Sequence, residues 1–363
     1  MQTTHTIQYK DSRTLDELKD ESIHLVVTSP PYPMIAMWDE VFIRMNPEIG
    51  DCLENQDGAT AFELMHNELA KVWTQVYRIL VPGGFACINI GDATRTIAGE
   101  FRLYSNHSKI LTTFVSLGFD VFPDIVWRKP TNSPTKFMGS GMLPCGAYVT
   151  LEHEMILILH RPGKRCFSTQ DQKKNRHHSS YFWEERNKWF SDIWELNGMR
   201  QSLNANQIRI RSGAYPLEIP LRLINMYSSK YDFVFDPFLG TATTTFAAIA
   251  SCRNSLGYEI EPGFRELHRT DLLSSDVRNM ANSITDNRLR SHTQFIADYR
   301  SRGREPAYRH KTGFPVITKQ EITMSFERVK KIYLANDDTY HVDYEPWAFD
   351  QELFNLSDRK VTS

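Results

Sequence analysis

Residues 234–244 read VFDPFLGTATT, and this stretch decides the fold. A short apolar run, Phe233–Phe235, ends in a turn that holds Asp236 and Gly240, and an apolar segment typical of a helix starts at Thr244. A strand, a glycine-containing turn and a helix N-terminus place backbone N–H groups and a carboxylate around a small polar ligand at the carboxyl edge of a parallel sheet. The stretch matches neither a Walker phosphate loop nor a G-x-G-x-x-G dinucleotide site. Taken alone, it also fits an ordinary strand-to-helix turn.

Strand and helix patterns alternate on both sides of this stretch. The predicted strands are short β-branched or apolar runs, and the predicted helices have apolar residues at helical spacing. The strands are expected at residues 23–27, 85–90, 121–127, 155–159, 233–235 and 255–259, and the helices at residues 61–80, 106–117, 216–227 and 244–251. Such alternation with short connections predicts an α/β fold with a mostly parallel sheet and helices on both faces.

A second motif follows the predicted strand at residues 23–27. Its four residues are Ser29, Pro30, Pro31 and Tyr32. The prolines have no backbone N–H, so their carbonyls are presented without competing donors. Such a rigid turn can hold an acceptor against an amino group, and the ring of Tyr32 can stack on a planar base. A strand-ending turn with an aromatic plug is the plain alternative.

The composition excludes several classes of protein. The chain has 363 residues, of which 41% are hydrophobic and 24% charged, enough for a sizeable core and, by length, about two domains. The net charge is −2, so any polyanion site must be local. The five scattered cysteines favour neither a disulfide framework nor a cysteine zinc site, and we predict no metal. Without a signal-peptide core or a membrane-length apolar run, we expect a cytoplasmic protein with no membrane partner.

Together the two motifs resemble a known family. Residues 29–32 (SPPY) followed by residues 236–240 (DPFLG) are similar to the S-adenosylmethionine-dependent amino-methyltransferases of DNA, whose motifs are (S/D/N)-P-P-(Y/F) and D-P-F-x-G-x-G-T. In this chain the acceptor motif (SPPY) comes first and the cofactor motif (DPFLG) comes last. This is the circularly permuted order of the β group in that family. The resemblance covers residues 8–162 and 190–262. It implies a Rossmann-like class I methyltransferase fold with S-adenosylmethionine as the cofactor.

The resemblance also implies the residues of the site. The catalytic residues are Ser29, Pro30, Pro31 and Tyr32, and the cofactor-binding residues are Asp11, Asp236, Phe238, Gly240, Thr241, Thr243 and Glu259. Asp11 has the place of the adenine-contacting acid, and Glu259, at the tip of a predicted strand, that of the acid that holds the ribose hydroxyls. The chain departs from the family pattern at Ala242, where glycine is usual, at His24, where an acid is usual, and in residues 211–216, which lack a histidine.

The implied reaction is methyl transfer to an exocyclic amine of a base. Conjugation with the ring makes this amine a poor nucleophile, so we expect the Ser29 hydroxyl and the Pro30 carbonyl to accept its hydrogens, with the methyl donor in line. The base must leave the duplex at a cost of a few kcal/mol, and stacking on Tyr32 offsets part of it. Serine at position 29 is commoner in cytosine-N4 enzymes, and its hydroxyl can donate to cytosine N3. Cytosine N4 is therefore favoured over adenine N6.

Recognition of duplex DNA is expected outside the motifs, in two basic segments. Residues 161–212 have a net charge of +6 and residues 288–331 of +7, which suits contacts to phosphates and base edges. The candidate DNA-binding residues are Arg186, Lys188, Arg300, Arg302, Arg304 and Arg309. A solvated charged face explains any one of them equally well.

We accordingly divide the chain into four segments. They are a catalytic half (residues 1–162), a basic aromatic insert (163–212), a cofactor-binding half (213–264) and a C-terminal extension that is a candidate for DNA recognition (265–363). The expected setting is a bacterial or archaeal restriction–modification system, with a cognate endonuclease as a possible partner. No oligomeric state is predicted.

Two other hypotheses stay open. A DNA-binding protein that keeps the fold without the reaction would be favoured only by Ala242, and a measurement of cofactor binding would separate it. Methylation of RNA or of a protein amide uses related motifs that usually begin with asparagine, so Ser29 disfavours it.

Overall fold

The computed structural model describes residues 1–129, 138–139, 142–197 and 215–348. The strands are β1 (Gln2–Gln8), β2 (Ile23–Thr28), β3 (Leu80–Ile90), β4 (Ala93–Ile97), β5 (Glu100–Tyr104), β6 (Asp120–Arg128), β7 (Met138–Gly139), β8 (Ala147–Tyr148), β9 (His153–His160), β10 (Ile193–Glu195), β11 (Phe233–Asp236), β12 (Asn254–Tyr258), β13 (Tyr308–Arg309), β14 (Pro315–Val316), β15 (Glu327–Asn336) and β16 (Thr339–Pro346). The helices are α1 (Asp39–Met45), α2 (Glu48–Glu54), α3 (Gly58–Ile79), α4 (Asn106–Ser116), α5 (Gln170–His178), α6 (Trp183–Trp189), α7 (Glu218–Tyr227), α8 (Thr243–Ala250), α9 (Arg265–Leu273) and α10 (Ser275–Ser301). Every strand and helix predicted above is present, with small shifts of its ends.

Ten of these strands form one sheet in the order β10-β6-β9-β3-β2-β11-β12-β1-β16-β15. Within this sheet, β9 and β16 run antiparallel to their neighbours and the other eight strands share one direction. The prediction of a mostly parallel sheet is confirmed. The two reversed strands were not predicted, because an apolar run has the same pattern in either direction.

Helices cover both faces of the sheet because buried side chains alternate along its central strands. Val26 of β2 packs in one core with Trp73 of α3 and Phe114 of α4. Its neighbours Leu25 and Val27 point to the opposite face and pack in a second core with residues of α7 and α8. Strands covered on both faces read as continuous apolar runs, as residues 25–27 do. Helices on both faces are thus also confirmed.

The two sequence motifs meet at the centre of this sheet. β2 and β11 are adjacent and parallel. The chain continues from β2 to β3 on one side and from β11 to β12 on the other, so the strand order reverses between them. In open parallel sheets, ligands bind in the crevice outside the carboxyl ends of the strands at such a point. Ser29 follows β2 and Asp236 ends β11, which brings both motifs to this crevice.

The described part of the basic insert packs against the C-terminal extension. The Arg288 guanidinium of α10 donates to both carboxylate oxygens of Glu185, at 2.6 and 2.8 Å. The ring of Phe182 stacks on His292, with 3.9 Å between ring centroids. Because these contacts hold α6 against α10, the two predicted basic segments belong to one packed unit. The division into four segments remains a prediction.

A cluster of possible metal ligands lies in the same contact. Ligand atoms of Glu184, His292 and Glu321 are within 4.8 Å of one another. Nδ1 of His292 bonds to Glu184 at 2.7 Å and its Nε2 bonds to the Pro315 carbonyl at 2.8 Å. Glu321 accepts from the backbone N–H of Thr318 at 2.6 Å. Oε2 of Glu184 is buried and has no hydrogen-bond partner among the described residues. Because both nitrogens of His292 and the Glu321 carboxylate have protein partners, we interpret the cluster as a packing contact.

The described residues also show where the tryptophans of the insert lie and whether any helix could span a membrane. In the part of the chain that the structure describes, no helix is long and apolar enough to span a bilayer. Trp189 and Trp194 are buried core anchors, whereas Trp183 is exposed. Residues 198–214, with three basic residues of the insert and most of the stretch that lacks a histidine, lie outside the described residues, as do residues 349–363.

Candidate active site

A cavity of about 350 Å³ opens at the carboxyl ends of the central strands. This volume lies in the range of small-molecule and cofactor sites. The predicted site residues that line it are Asp11, Ser29, Pro31, Phe238, Gly240 and Glu259. They follow the neighbouring strands β1, β2, β11 and β12. The parallel sheet therefore brings residues 11–31 and residues 238–259 to the same edge.

The other predicted catalytic and cofactor-binding residues lie beside this lining. Pro30 is buried and Tyr32 is half-buried, both in the turn after β2. Asp236 is buried beneath the turn that follows β11. The hydroxyls of Thr241 and Thr243 lie 3.3 Å apart where α8 begins. These residues can therefore shape the cavity without forming its wall.

Asp236 ties the two motifs together. Its carboxylate accepts from the hydroxyl of Thr28, the last residue of β2, at 2.5 Å and from that of Thr244 at 2.6 Å. It also accepts from the backbone N–H of Phe238 at 3.0 Å. Burial raises the pKa of Asp236 to about 6, against the opposing effect of these hydrogen bonds. The carboxylate thus fixes the turn at residues 237–242 against β2, the strand that Ser29 follows. We call this turn the cofactor turn because it contains the predicted cofactor motif.

The cofactor turn contains two residues in the left-handed backbone region. Gly240 has a φ of +54° and Ala242 a φ of +62°. This conformation suits Gly240, but it costs an L-residue with a Cβ, such as Ala242, roughly 1–2 kcal/mol. This cost explains why the resembling family usually has glycine at the position of Ala242. The Ala242 methyl is buried in a core with Leu239 and Ile249. This burial offsets part of the strain, so the turn forms with alanine.

Glu259 forms the acidic wall of the cavity. One carboxylate oxygen accepts from the backbone N–H of Gly240 at 2.8 Å and the other from that of Glu261 at 2.9 Å. Burial raises the pKa of Glu259 to about 7, although both N–H groups oppose the shift. Each ionised oxygen keeps a lone pair for a hydroxyl donor. The carboxylate can therefore hold the turn and a ligand together.

Asp11 supplies a second acid, after β1. The backbone N–H and the guanidinium of Arg13 donate to it at 2.6–2.9 Å. Arg13 also pairs with Glu68 of α3. Burial alone would raise the pKa of Asp11, but the hydrogen bonds and the charge of Arg13 lower it overall. Asp11 thus stays an ionised acceptor at the cavity.

One wall of the cavity is formed by residues that were not predicted from the sequence. Trp38, Val41 and Met45, in and just before the short helix α1, line it opposite the sheet. At the mouth, Arg44 and Glu261 form an exposed ion pair at 3.3 Å. A seven-residue helix has too few apolar positions to reveal by periodicity that one face covers a ligand site.

A polar network that was not predicted from the sequence lies behind Ser29. The Tyr32 hydroxyl lies 3.0 Å from Oγ of Ser29 and donates to Oε2 of Glu154 at 2.8 Å. Nδ2 of Asn89 donates to the same Tyr32 oxygen at 2.8 Å and to Glu154 at 2.7 Å. Glu154 also forms an ion pair with Lys129. Asn89 and Glu154 lie on the adjacent strands β3 and β9, so no spacing along the chain connects them.

Gly91 allows this network to close. A Cβ at this position would lie 3.0 Å from Cε2 of Tyr32 and 3.2 Å from Cγ of Glu154. Both distances are shorter than ordinary van der Waals contacts. The absence of a side chain at Gly91 therefore lets the phenol pack against the glutamate.

The candidate DNA-binding residues lie on the surface of the packed unit formed by the insert and the extension. Arg186, Lys188, Arg302, Arg304 and Arg309 are exposed, and Arg300 is half-buried. Arg300 pairs with Glu305 at 3.3 Å, and Arg309 donates to a backbone carbonyl at 2.9 Å. Their role in DNA binding remains a prediction.

Comparison with known proteins now bears on this site. The profile of the N6_N4_Mtase family, described as DNA methylase, matches residues 23–269. The chain belongs to this family of DNA methylases. The matched residues include β2 with the SPPY motif and β11 with its turn, so the cavity lies within the family domain.

Two archaeal relatives are similar to this methylase. The Type II methyltransferase M.MthZI of Methanothermobacter thermautotrophicus is 46% identical over 361 residues, which cover 98% of this chain and 100% of the relative. The Type II methyltransferase M.MjaI of Methanocaldococcus jannaschii is 50% identical over 276 residues, which cover 73% of this chain and 90% of the relative. The likeness to M.MthZI therefore extends well beyond the family domain.

Solved structures support the fold and the cofactor. TTHA0409 of Thermus thermophilus, solved with S-adenosyl-L-methionine, is 32% identical, with a TM-score of 0.56 and coverage of 73% of this chain and 92% of that one. The PvuII DNA methyltransferase (cytosine-N4-specific) is 17% identical with a TM-score of 0.52 and coverage of 78% and 93%, which shows the fold alone. The methylase thus has a class I methyltransferase fold and uses S-adenosylmethionine.

The residues of the cavity fit this cofactor. The acids Asp11 and Glu259 suit the amino and hydroxyl donors of a nucleoside. The ring of Phe238 and the apolar side chains of Trp38 and Val41 suit its flat base. Ser29 lies on the same lining, so the predicted catalytic motif adjoins the cavity that fits the cofactor.

Proposed function

We propose that this methylase transfers the methyl group of S-adenosylmethionine to the exocyclic N4 of a cytosine flipped out of duplex DNA. The observation that carries the proposal is the shared cavity, which Ser29 and Pro31 line together with Phe238, Gly240 and Glu259. A methyl acceptor held at the SPPY motif would thus adjoin a donor held at the cofactor turn. Such positioning in one water-poor site can supply much of the rate enhancement.

Each motif has its own task in this proposal. Asp11, Phe238, Gly240 and Glu259 hold the cofactor, whose sulfonium supplies an activated methyl group. Ser29 and the Pro30 carbonyl accept the hydrogens of the target amine, which orients the nitrogen lone pair towards the methyl group. Tyr32 stacks on the extruded base, and its hydrogen bonds to Asn89 and Glu154 orient the ring before the base arrives.

The choice of base rests on Ser29. Serine at this position is commoner in the N4-cytosine enzymes of the resembling family, which favours cytosine. Adenine N6 is the second candidate, because the same acceptors suit either exocyclic amine. The permuted motif order supports membership of the β group, and the name of the matched family, N6_N4_Mtase, covers both amines.

The biological setting is proposed from the relatives. M.MthZI and M.MjaI are named as Type II methyltransferases, which supports a modification role in a restriction–modification system with a cognate endonuclease that acts at the same target site. The exposed cations of α6 and of the segment after α10 would contact the phosphates of the duplex.

Nucleoside analysis tests the reaction directly. The protein is incubated with mixed-sequence duplex DNA and labelled S-adenosylmethionine, and the digested nucleosides are separated by mass. N4-methylcytosine is the expected product. N6-methyladenine would overturn the choice of base but keep the mechanism. Two results would overturn DNA methylation: transfer of the label to RNA when RNA and duplex DNA compete, or no methylated nucleoside from a protein that measurably binds the cofactor.

Cofactor affinity should depend on pH through Glu259. Its folded-state pKa of about 7 means that the carboxylate is largely protonated at pH 6 and ionised at pH 8. Only the ionised form accepts from both ribose hydroxyls, so the dissociation constant for S-adenosylmethionine should fall about tenfold over this range. Calorimetry at both pH values measures this dissociation constant. Glu259→Gln is the control, because it removes the titration of Glu259 while any titration of the cofactor affects both proteins equally. Equal pH dependence in the two proteins would contradict the assignment.

Removal of two exposed cations should weaken the salt dependence of DNA binding. Replacement of both Lys188 and Arg302 by alanine is expected to lower the slope of log K against log salt by about 0.9 for each phosphate that the variant no longer neutralises. Anisotropy titrations with a duplex of unrelated sequence at several salt concentrations measure this slope. Lys19→Ala, an exposed lysine outside both basic segments, is the matched control. An unchanged slope in the double variant would remove these residues from the interface.

A further inference from the structure

The polar network behind Ser29 has a defined hydrogen count. The Tyr32 oxygen has three polar neighbours, Oε2 of Glu154 at 2.8 Å, Nδ2 of Asn89 at 2.8 Å and Oγ of Ser29 at 3.0 Å. A phenol has one hydrogen to donate and two lone pairs with which to accept. Each of the three contacts must therefore take a different one of these positions.

Two of the three neighbours can act in one way only. Glu154, paired with the ammonium of Lys129, is an ionised carboxylate and only accepts. The Asn89 nitrogen only donates, and it also donates to Glu154 at 2.7 Å. The reversed amide would place its oxygen against the Glu154 oxygen, which only accepts, so this contact fixes the orientation of the amide. The single Tyr32 hydrogen must then point to Glu154.

The direction of the remaining hydrogen bond follows. Because the Tyr32 hydrogen is used at Glu154, the contact between Tyr32 and Ser29 can form only if the Ser29 hydroxyl donates. Burial and the neighbouring Glu154 charge raise the pKa of Tyr32 well above its usual value, so the phenol keeps its hydrogen. No neighbour in this network directs the Ser29 hydrogen towards the cavity.

We propose that Glu154 is a positioning residue that, through Tyr32, turns the Ser29 hydrogen inward and presents the Ser29 oxygen to the target amine as an acceptor only. The proposal rests on the proposed function and deepens it. Ser29 then acts as an ionised aspartate would at the first position of the motif. It accepts an amine hydrogen but does not donate to cytosine N3, so the proposed preference for cytosine rests on the likeness of the SPPY motif and not on a hydrogen bond from Ser29 to the base.

Removal of the network should slow the reaction without weakening cofactor binding. In Tyr32→Phe the ring stays but the Ser29 hydrogen loses its acceptor, and in Glu154→Gln the amide can donate to Tyr32 and reverse the chain. Both variants are expected to lower kcat about 10- to 100-fold, with changes below about threefold in the cofactor dissociation constant. The double variant should be no slower than the slower single one, because both break the same chain. Glu152→Gln, two residues before Glu154 and also partly buried, is the matched control.

A rescue experiment separates this role from a purely structural one. Aspartate at position 29 has no hydrogen to direct, so Ser29→Asp combined with Glu154→Gln should regain at least about tenfold in kcat over Glu154→Gln alone. Wild-type kcat in both Tyr32→Phe and Glu154→Gln, or no recovery with aspartate while thermal unfolding shows a folded protein, would overturn the proposal. A wild-type protein that methylates no DNA would instead overturn the proposed function, and N6-methyladenine as the product would leave the role of Glu154 intact.

Discussion

Ser29→Ala should lower the rate of methyl transfer by about 10²- to 10³-fold, the usual loss when one preorganised hydrogen-bonding group at a reacting centre is removed. The Ser29 oxygen lines the cavity and is fixed at 3.0 Å from the Tyr32 hydroxyl, so its hydrogen bond to the amine forms without further ordering. Alanine fills the space of the side chain but offers no acceptor. The target amine would then keep its lone pair conjugated with the ring.

Cofactor binding should survive this change. Ser29 contributes only part of a lining that includes Asp11, Phe238 and Glu259, so the dissociation constant for S-adenosylmethionine should change by less than about threefold. Single-turnover methylation and calorimetry measure the two quantities separately. Ser116→Ala, at an exposed serine in α4 that bonds a carbonyl of its own helix, is the matched control. Retention of more than about a tenth of the wild-type rate would remove Ser29 from the chemical step.

Asp236→Ala should cost about 3–5 kcal/mol of unfolding free energy and abolish measurable cofactor binding. The change leaves the Thr28 hydroxyl and the Phe238 N–H without their acceptor. The Thr244 hydroxyl loses its 2.6 Å bond and keeps only a long contact to the Val27 carbonyl, at 3.4 Å, and the neighbouring Tyr215 hydroxyl. Both threonines are buried, so water does not replace the carboxylate there, and each unpaired buried group costs about 1–3 kcal/mol. The cofactor turn would lose its attachment to β2.

Urea unfolding and calorimetry test this expectation. Asp51→Ala, at an exposed carboxylate of α2, is the matched control and should unfold within about 0.5 kcal/mol of the wild type. The folded-state pKa of Asp236, about 6, lies above its ordinary value, so its ionisation makes folding less favourable as pH rises from 4 to 6. The variant should lack this part of the pH dependence. An unchanged urea midpoint would show that the turn holds without Asp236.

Much of the fold could be predicted from local patterns. The apolar runs at residues 23–27 and 233–235 and the helical periodicity of residues 61–80 indicated the correct elements because a buried face imposes its period on the chain. The terminal hairpin of β15 and β16 and the short strand β10 were not predicted. β16 pairs with β1 and β10 pairs with β6, strands distant in the chain, so these pairings leave only a weak local pattern.

Some residues of the candidate site could likewise be predicted from local patterns, and others could not. Phe238 and Gly240 could be predicted because a turn of defined chemistry leaves its mark on consecutive residues, and Glu259 because it ends the next predicted strand. All three line the cavity. Asn89 and Glu154 could not be predicted, since their contact with Tyr32 spans 57 and 122 residues of chain. The wall formed by Trp38 and its neighbours could not be predicted because the seven-residue helix α1 is too short to show an apolar periodicity.

The sequence by itself determined that this chain is a mostly parallel α/β protein with an SPPY turn and a DPFLG turn, because both features are written in consecutive residues. Only the tertiary structure decided that Asp236 bonds Thr28 across the two motifs and that Glu154 reaches Tyr32. The physical reason is that hydrogen-bond partners are chosen by proximity across the sheet. Proximity depends on strand order and direction, and neither is encoded in the pattern of a single strand.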